Sequence, residues 1–298
     1  MPGQFHHLPL GLVYVYDYGG SGSPVVAVHG LGGAHLNWQP VAAGLARHGR
    51  VLALDLPGFG YSPPQRTHGI SVHARAVSEL VEAQGTPALL LGNSLGGLVA
   101  MMVASRHPHL VAGLVLVAPA TPPSFTDPSL DRAVQKRLLM QGLPFLGPEM
   151  IRRYWNSVSP ARQITDTLSI VCHHPERVSP SVLEESLQLA AARRHQPWAI
   201  PALVGSGRSV GRLLADRRSL RRLVQNITAP TLVIKGGHDR VVAGSGLSWL
   251  KEQRPDWTHR EMFDAGHCPQ LEAPQEFLAL VDDWLQEVGM RVAPAIAR

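Results

Sequence analysis

The stretch LLLGNSLGGLVAMMVASRHP, from Leu89 to Pro108, places one serine between an apolar run and a helix-like segment. Gly92 and Gly96 lie two residues before and two residues after Ser94, which is typical of a sharp strand-to-helix turn that exposes a reactive serine. The first amide of the following helix, that of Leu95, would point at negative charge developing on a substrate. The alternative is a glycine-rich turn whose serine only tolerates the bend. We favour the nucleophile, because a strand pattern precedes the glycines and a helix pattern follows them.

A second glycine-rich loop follows another apolar run, in the stretch VVAVHGLGGAHLNW. Such a loop allows a backbone N–H to approach a substrate oxygen, and the Leu31 amide is the candidate. Together with the Leu95 amide it would form a two-donor oxyanion hole. We interpret His29 as a brace for this loop rather than as a reacting group. The other residues predicted to shape the site are Gly30, Gly92, Asn93 and Gly96.

A serine hydroxyl becomes a good nucleophile when an imidazole accepts its proton and a carboxylate orients that imidazole. Asp239 follows a strand-like run in TLVIKGGHDRVV, and His267 follows another in FDAGHCPQLEAP. Because sites form at the carboxyl ends of strands in an open α/β sheet, these two side chains are expected to converge on Ser94. Asp264 also lies near His267. We rank it second to Asp239 as the acid, because its spacing from His267 fits local loop structure. We interpret Cys268 as a small residue that fills space beside His267.

Short apolar runs rich in β-branched residues recur along the chain and predict buried strands. They are Val25–Val28, Val51–Leu54, Ala88–Leu91, Leu114–Ala118, Thr231–Ile234 and, more weakly, His259–Phe263. Helical patterns precede the second, third and fourth runs, at Leu36–Arg47, Ser71–Gln84 and Leu95–Arg106. The alternating segment Leu8–Tyr18 predicts an antiparallel edge strand or hairpin. Strand alternating with helix predicts an α/β fold with a mostly parallel sheet.

The alternation stops after Pro119 and resumes at APTLVIKGG. The intervening segment, residues 121–226, has helix starts at Asp127-Pro128, Gly147-Pro148 and Ser179-Pro180, each with proline at or near a first helical position. It also carries 15 Lys and Arg against 8 Asp and Glu, so the basic character of the chain belongs to this segment. The pattern predicts a helical insertion at 121–226 within a core formed by 1–120 and 227–298.

Composition excludes several classes of protein. The chain has a net charge of +5 but no aromatic-basic interleaving, so nucleic-acid binding is not predicted. Two cysteines, Cys172 and Cys268, imply no disulfide framework and favour a reduced, cytoplasmic protein. We predict no metal site, because His173-His174 alone supplies too few ligands. The N-terminal residues lack a signal-peptide pattern, and no apolar run is long enough to cross a membrane.

Five motifs together resemble the α/β-hydrolase superfamily. They are HGLGG at His29–Gly33, DLPGFGYS at Asp55–Ser62, GNSLGG at Gly92–Gly97, GGHD ending at Asp239, and AGHCPQLEAP around His267. The resemblance implies an eight-stranded, mostly parallel sheet flanked by helices, catalysis without a cofactor, and a helical cap inserted after the sixth strand. It also implies that DLPGFGYS is the structural loop after the fourth strand. The chain order Ser94, Asp239, His267 is that of the superfamily's triad.

The resemblance also favours a function. Ser94 argues against haloalkane dehalogenases and epoxide hydrolases, which use an aspartate nucleophile. Asn93 before the serine resembles the meta-cleavage C–C bond hydrolases, but those usually carry Trp after the catalytic histidine, where this chain has Cys268. We therefore predict that the protein hydrolyses small-molecule carboxylic esters through an acyl-enzyme. The alternatives are a C–C bond hydrolase and a receptor that binds a small ligand without catalysis.

The inserted segment is predicted to select the substrate and to exclude water. Its candidate lining residues are Leu143, Phe145, Trp155 and Trp198. Its arginine pairs, Arg217-Arg218 and Arg221-Arg222, are interpreted as solvated helix faces, with weak contact to an anionic membrane surface as the alternative. The sequence leaves the oligomeric state, acyl chain length and leaving group open.

Overall fold

The computed structural model describes residues 3–122, 127, 131, 134, 136, 143 and 145–290. Eight strands form one sheet in the order β1-β2-β4-β3-β5-β6-β7-β8. The first two pair antiparallel, and β2 is also antiparallel to β4, whereas the remaining pairs are parallel. The strands are β1 Gly3–Leu8, β2 Gly11–Gly19, β3 Pro24–Val28, β4 Arg50–Leu54, β5 Ala88–Asn93, β6 Val111–Val117, β7 Thr231–Gly236 and β8 Thr258–Met262.

The central strands are apolar without alternation because both of their faces are buried. Successive side chains of a strand point to opposite faces. In β3, Val26 and Val28 therefore pack into one core, and Val25 and Ala27 pack into a second core on the other face. Leu90 and its neighbours in β5 divide between the two cores in the same way.

Helices cover both faces of the sheet. One face is covered by α1 Gln39–Leu45 and α11 Pro274–Glu287, whose buried side chains belong to the second core. The other face is covered by α2 Ile70–Glu82, α3 Leu95–Arg106, α8 Arg217–Gln225 and α9 Gly244–Gln253. A short helix, α10 Pro269–Glu272, directly follows the loop that carries His267.

Between β6 and β7 the described residues include five α-helices with defined bounds. They are α4 Leu146–Ser157, α5 Pro160–Val171, α6 Pro180–Arg193, α7 Ala199–Ala215 and α8. Ser159 and Ser179 cap α5 and α6 by accepting hydrogen bonds from the third amide of each helix, and proline occupies the first helical position of both. The last of the five, α8, buries Leu220, Leu223 and Val224 and contacts α3.

The predicted fold class is confirmed: an eight-stranded, mostly parallel sheet flanked by helices. The predicted segment Leu8–Tyr18 corresponds to a hairpin whose two strands, β1 and β2, meet at a turn beside Leu10. The helix start predicted at Asp127-Pro128 lies largely outside the described residues. Helices begin at the other two predicted starts, near Gly147 and at Pro180. The division into a core and a cap at residues 121–226 remains a prediction.

Candidate active site

Ser94 lies in a strained turn between β5 and α3. Its backbone has φ 56° and ψ −115°, a conformation that non-glycine residues rarely adopt outside functional sites. Three backbone hydrogen bonds hold it there: the Ser94 amide donates to the Val117 carbonyl, and the Ser94 carbonyl accepts from the amides of Leu98 and Ala120. A Cβ at Gly92 would lie 2.4 Å from the Gly96 carbonyl oxygen, so the turn requires glycine at that position.

The loop after β3 lies directly against this turn. A Cβ at Gly96 would lie 2.2 Å from the Val28 carbonyl oxygen, and one at Gly30 would lie 3.3 Å from the Ser94 Cβ. Gly30 and Gly33 close a tight turn through a 3.1 Å backbone hydrogen bond, and Leu31 lies inside that turn. The structure therefore brings the segment that contains Leu31 close to Ser94, which Leu95, the first residue of α3, follows directly.

Asp239 and His267 meet in a buried hydrogen bond. His267 Nδ1 donates to Asp239 Oδ2 at 2.9 Å, and the exposed fractions of the two side chains are 4% and 1%. The other carboxylate oxygen of Asp239 accepts hydrogen bonds from the Val241 and Val242 amides. Because each carboxylate oxygen is held, Asp239 fixes the orientation of the His267 ring and leaves Nε2 as the nitrogen that can accept a proton.

Asp264, the second candidate for the acid, is not placed to serve His267. Its side chain is 60% exposed and pairs with His174 and Arg177. These two partners hold the pKa of Asp264 low, at about 2. The structure thus favours Asp239 as the carboxylate partner of His267.

Asn93 joins three segments of the site. Its amide nitrogen donates to the carbonyls of Val117 and His267, at 3.2 and 3.1 Å. Its amide oxygen accepts from the Cys268 thiol at 3.5 Å. Cys268 therefore packs between Asn93 and the histidine loop, in agreement with a space-filling role. Both Cys268 and Cys172 are buried, and burial raises the pKa of both thiols, to about 12 for Cys172.

His29 lies at the start of the loop that carries Leu31, and both of its ring nitrogens form hydrogen bonds. Its Nε2 accepts from the Leu56 amide at 3.0 Å, so Nδ1 carries the proton and donates to the Gly30 carbonyl at 2.7 Å. Burial lowers the pKa of His29 to about 4, which keeps the ring neutral.

Nearby, Asp55 accepts hydrogen bonds from the His35 ring, the His35 amide and the Tyr61 amide. The DLPGFGYS segment is thus held by a buried carboxylate.

Glu272 is a site residue that the sequence analysis did not single out. It is 3% exposed, and one carboxylate oxygen accepts from the Gly266 amide at 2.6 Å. The other oxygen accepts from the amides of His173 and His174, at 2.8 and 2.7 Å. Glu272 therefore ties the loop of His267 to the segment after α5. The sequence feature that could have indicated this buried carboxylate is the single acidic residue between the two prolines of CPQLEAP.

A narrow cleft lies between the helices after β6 and the loops that follow β3 and β4. Its lining residues are Gly32, Gly58, Phe59, Trp155, Arg193, Ala199 and Leu203. Of the four predicted lining residues, Trp155 lines this cleft and Trp198 is half-buried at the start of α7. The prediction is wrong for Leu143 and Phe145, which are 43% and 92% exposed. The physical reason is that α4 packs through Gly147 and Ile151, which turns Phe145 into solvent.

Comparison with known proteins shows the family of the chain. A model of the α/β-hydrolase fold family matches residues 23–274. The chain is 30% identical to 2-hydroxy-6-oxo-2,4-heptadienoate hydrolase from Pseudomonas putida, covering 89% of this chain and 90% of that protein. It is also 30% identical to pimeloyl-[acyl-carrier protein] methyl ester esterase from Xanthomonas oryzae pv. oryzae, covering 89% and 98%. A thermophilic esterase from Thermogutta terrifontis superposes with a TM-score of 0.72, at 23% identity over 97% of this chain and 99% of that chain.

The chain therefore belongs to the α/β-hydrolase family, and its relatives support hydrolase activity. Among the residues that the structure describes, no helix combines the length and the apolar character needed to cross a membrane.

Proposed function

We propose that the protein is a serine hydrolase that cleaves carboxylic esters through an acyl-enzyme. The observation that carries this proposal is the buried 2.9 Å hydrogen bond between His267 and Asp239, in a site whose serine has a strained backbone. Ser94 is the nucleophile, His267 the general base and Asp239 the residue that orients the base. The amides of Leu31 and Leu95 form the oxyanion hole.

Acylation begins when Ser94 Oγ attacks the ester carbonyl carbon and its proton passes to His267 Nε2. The carbonyl electrons move onto oxygen, where the two amides stabilise the negative charge. Loss of one such donor typically raises the barrier by about 2.7–4 kcal/mol. As the tetrahedral intermediate collapses, the C–O bond to the alcohol breaks and His267 donates the proton to the leaving oxygen.

Deacylation repeats these steps with water. His267 Nε2 accepts a proton from water as the water oxygen attacks the acyl carbon. Collapse of the second tetrahedral intermediate breaks the bond to Ser94, releases the acid and returns the proton to Ser94 Oγ. No metal or redox group takes part in any of these steps.

We further propose that residues 121–226 form a cap over this site. The support is the cleft in which Trp155, Arg193 and Leu203, from the helices after β6, face Gly32 and Phe59 from the core. A cap at this position would exclude water and would provide an apolar wall for an acyl group.

A second candidate function is C–C bond hydrolysis. It is favoured by the similarity to 2-hydroxy-6-oxo-2,4-heptadienoate hydrolase and by Asn93 before the serine. Ester hydrolysis ranks first because a methyl ester esterase is equally similar and because Cys268 takes the place of the Trp that follows the histidine in C–C hydrolases.

The decisive experiment is to assay wild type and Ser94→Ala on p-nitrophenyl esters from acetyl to long acyl chains, beside a vinylogous diketone. We expect a burst and turnover on esters by wild type, and a loss of nearly all turnover in Ser94→Ala with an unchanged circular dichroism spectrum. The matched control is Ser157→Ala, an exposed serine at the end of α4, which should keep full activity. Substantial ester turnover by Ser94→Ala would contradict the assignment of the nucleophile.

Two further outcomes separate the alternatives. Turnover of the diketone alone would favour the C–C hydrolase. Fluorophosphonate labelling of Ser94, located by mass spectrometry, without turnover of either substrate would favour a ligand receptor that retains the triad.

A further inference from the structure

Three side chains with metal-binding atoms meet outside the catalytic site. His173 and His174 follow α5, and Asp264 follows β8, three residues before His267. One ligand atom from each residue lies within 4.8 Å of the others. The two segments are about ninety residues apart in the chain, so the fold alone creates this cluster.

The ligand atoms are close to the separations that a metal ion requires. His174 Nε2 and Asp264 Oδ1 are 2.9 Å apart. A tetrahedral zinc ion with bonds of about 2.0–2.2 Å holds its ligand atoms about 3.4 Å apart. The rings of His173 and His174 have centroids 4.4 Å apart. The ligand atom of His173 lies within 4.8 Å of the other two, so a small adjustment of its side chain reaches that distance.

The supporting contacts hold the cluster in place. Glu272 binds the backbone amides of both histidines, so the segment that carries the two rings is fixed. Arg177 binds Asp264 Oδ2 at 2.8 Å, which leaves Oδ1 directed at His174. The His173 ring stacks on His238, with centroids 3.7 Å apart. Outer contacts of this kind orient metal ligands and strengthen binding.

The ligand set selects the class of cation. Two imidazoles and one carboxylate suit a borderline ion such as Zn²⁺, which accepts mixed nitrogen and oxygen ligands. Mg²⁺ and Ca²⁺ require six or more oxygen ligands, which this cluster does not supply. A bound Zn²⁺ would replace the proton that His174 Nε2 and Asp264 Oδ1 share.

We propose that His173, His174 and Asp264 bind Zn²⁺. The ion would cross-link the segment after α5 to the loop that carries His267, next to the link that Glu272 already makes. The site is separate from Ser94 and does not depend on the proposed hydrolase function. It departs from the sequence prediction of no metal site, which did not consider a third ligand from a distant strand end.

The test is isothermal titration of the full, metal-free chain with ZnCl₂ at neutral pH, with MgCl₂ as the control cation. We expect Zn²⁺ binding by wild type, at least ~10-fold weaker binding in Asp264→Asn, and loss of this site in His173→Gln/His174→Gln. The matched control is His107→Gln/His109→Gln, another neighbouring histidine pair, which should bind Zn²⁺ as wild type does. Thermal melting of each variant without metal verifies that it is folded.

A second readout is the melting temperature, which should rise with Zn²⁺ for wild type and the control pair but not for His173→Gln/His174→Gln. The proposal is overturned if that variant binds Zn²⁺ with the stoichiometry and affinity of wild type. Equal loss of binding in both histidine pairs would also overturn it, because binding would then not be specific to the cluster.

Discussion

The carboxylate of Glu272 holds the loop that carries His267, the proposed general base. It accepts three backbone hydrogen bonds, one from Gly266 beside His267 and two from the segment after α5. A carboxylate can accept all three, whereas an amide has one oxygen and would place an NH₂ group against a buried N–H. The link therefore depends on the two acceptor oxygens of the carboxylate, and not only on the volume of the side chain.

We predict that Glu272→Gln lowers the free energy of unfolding by about 1–3 kcal/mol, since it leaves at least one buried amide unsatisfied. It should also lower kcat more than it raises KM, because a loosened His267 affects the transition state more than binding. Urea unfolding and steady-state kinetics measure both effects. Glu276→Gln, an exposed carboxylate in the next helix, is the control and should leave both unchanged. A Glu272→Gln enzyme with normal kcat would contradict the positioning role.

Asp239→Asn tests the orientation of the histidine ring. An asparagine amide at this position can present its NH₂ group to His267 Nδ1, which favours the tautomer with the proton on Nε2. We predict a fall in kcat of about 10⁴-fold with the fold retained, as expected when the base has the wrong tautomer. Asp264→Asn, whose carboxylate is exposed, should keep near-normal ester turnover. If Asp264→Asn lost as much activity as Asp239→Asn, the choice between the two acids would be wrong.

The contact between α2 and α7 depends on a buried histidine. Ser206 Oγ donates to the His68 carbonyl, so His73 Nε2 must carry a proton and donate to Ser206 at 2.8 Å. His73 Nδ1 is buried and has no hydrogen-bond partner among the described residues. Burial, with smaller contributions from His29 and His68, lowers the pKa of His73 to about 3. The ring therefore stays neutral in the folded protein.

We predict that stability falls as the pH decreases below about 6.5. In the unfolded chain His73 takes up a proton near its ordinary pKa, whereas the folded chain cannot do so until about pH 3. Each such histidine can lower the free energy of unfolding by up to about 1.4 kcal/mol for each pH unit below about 6.5. His29, whose pKa is also lowered by burial, acts in the same direction. His73→Gln keeps a donor for Ser206 but cannot titrate, so its stability should fall less between neutral and mildly acidic pH. Urea unfolding at both pH values measures this, with exposed His109→Gln as the control.

The elements that the sequence predicts well are those whose pattern is local. The continuous runs of β3 to β7 are apolar because both faces are buried, and α3 begins and ends at Leu95 and Arg106 as predicted. The last strand, β8, gave a weak pattern because its sequence THREM is mostly half-exposed. Glu272 could not be assigned a role, since its partners His173 and His174 lie 98 or more residues away. Phe145 was expected to line the substrate pocket but is exposed, because the sequence pattern does not show which face of a helix packs against the rest of the protein.

A cluster of four arginines on α8 is one concentration of positive charge in the basic segment. Arg217, Arg218, Arg221 and Arg222 lie together and are exposed, and none forms a salt bridge with a described residue. The apolar side of the same helix is already buried through Leu220, Leu223 and Val224. This helix can therefore attract an anionic surface but cannot insert apolar side chains into it.

We predict that any binding to vesicles of anionic phospholipid is purely electrostatic. Co-sedimentation should fall steeply as ionic strength rises from about 0.01 M to about 0.15 M, because the Debye length shortens from about 30 Å to about 8 Å. Arg217→Gln/Arg221→Gln should abolish it, whereas Arg152→Gln/Arg153→Gln, whose arginines pair with Glu149, should have a smaller effect. Binding that persists at high salt would contradict this account.

The two buried thiols have a practical consequence for spectroscopy. Thiolate is the form that reacts with maleimides, and the raised pKa values of Cys172 and Cys268 keep both groups protonated and enclosed at neutral pH. A single cysteine introduced at an exposed position, such as Ala191 on α6, should therefore be labelled selectively without first removing the native pair. A fluorophore at that position would report directly on movement of α6 relative to the sheet as substrate enters and product leaves.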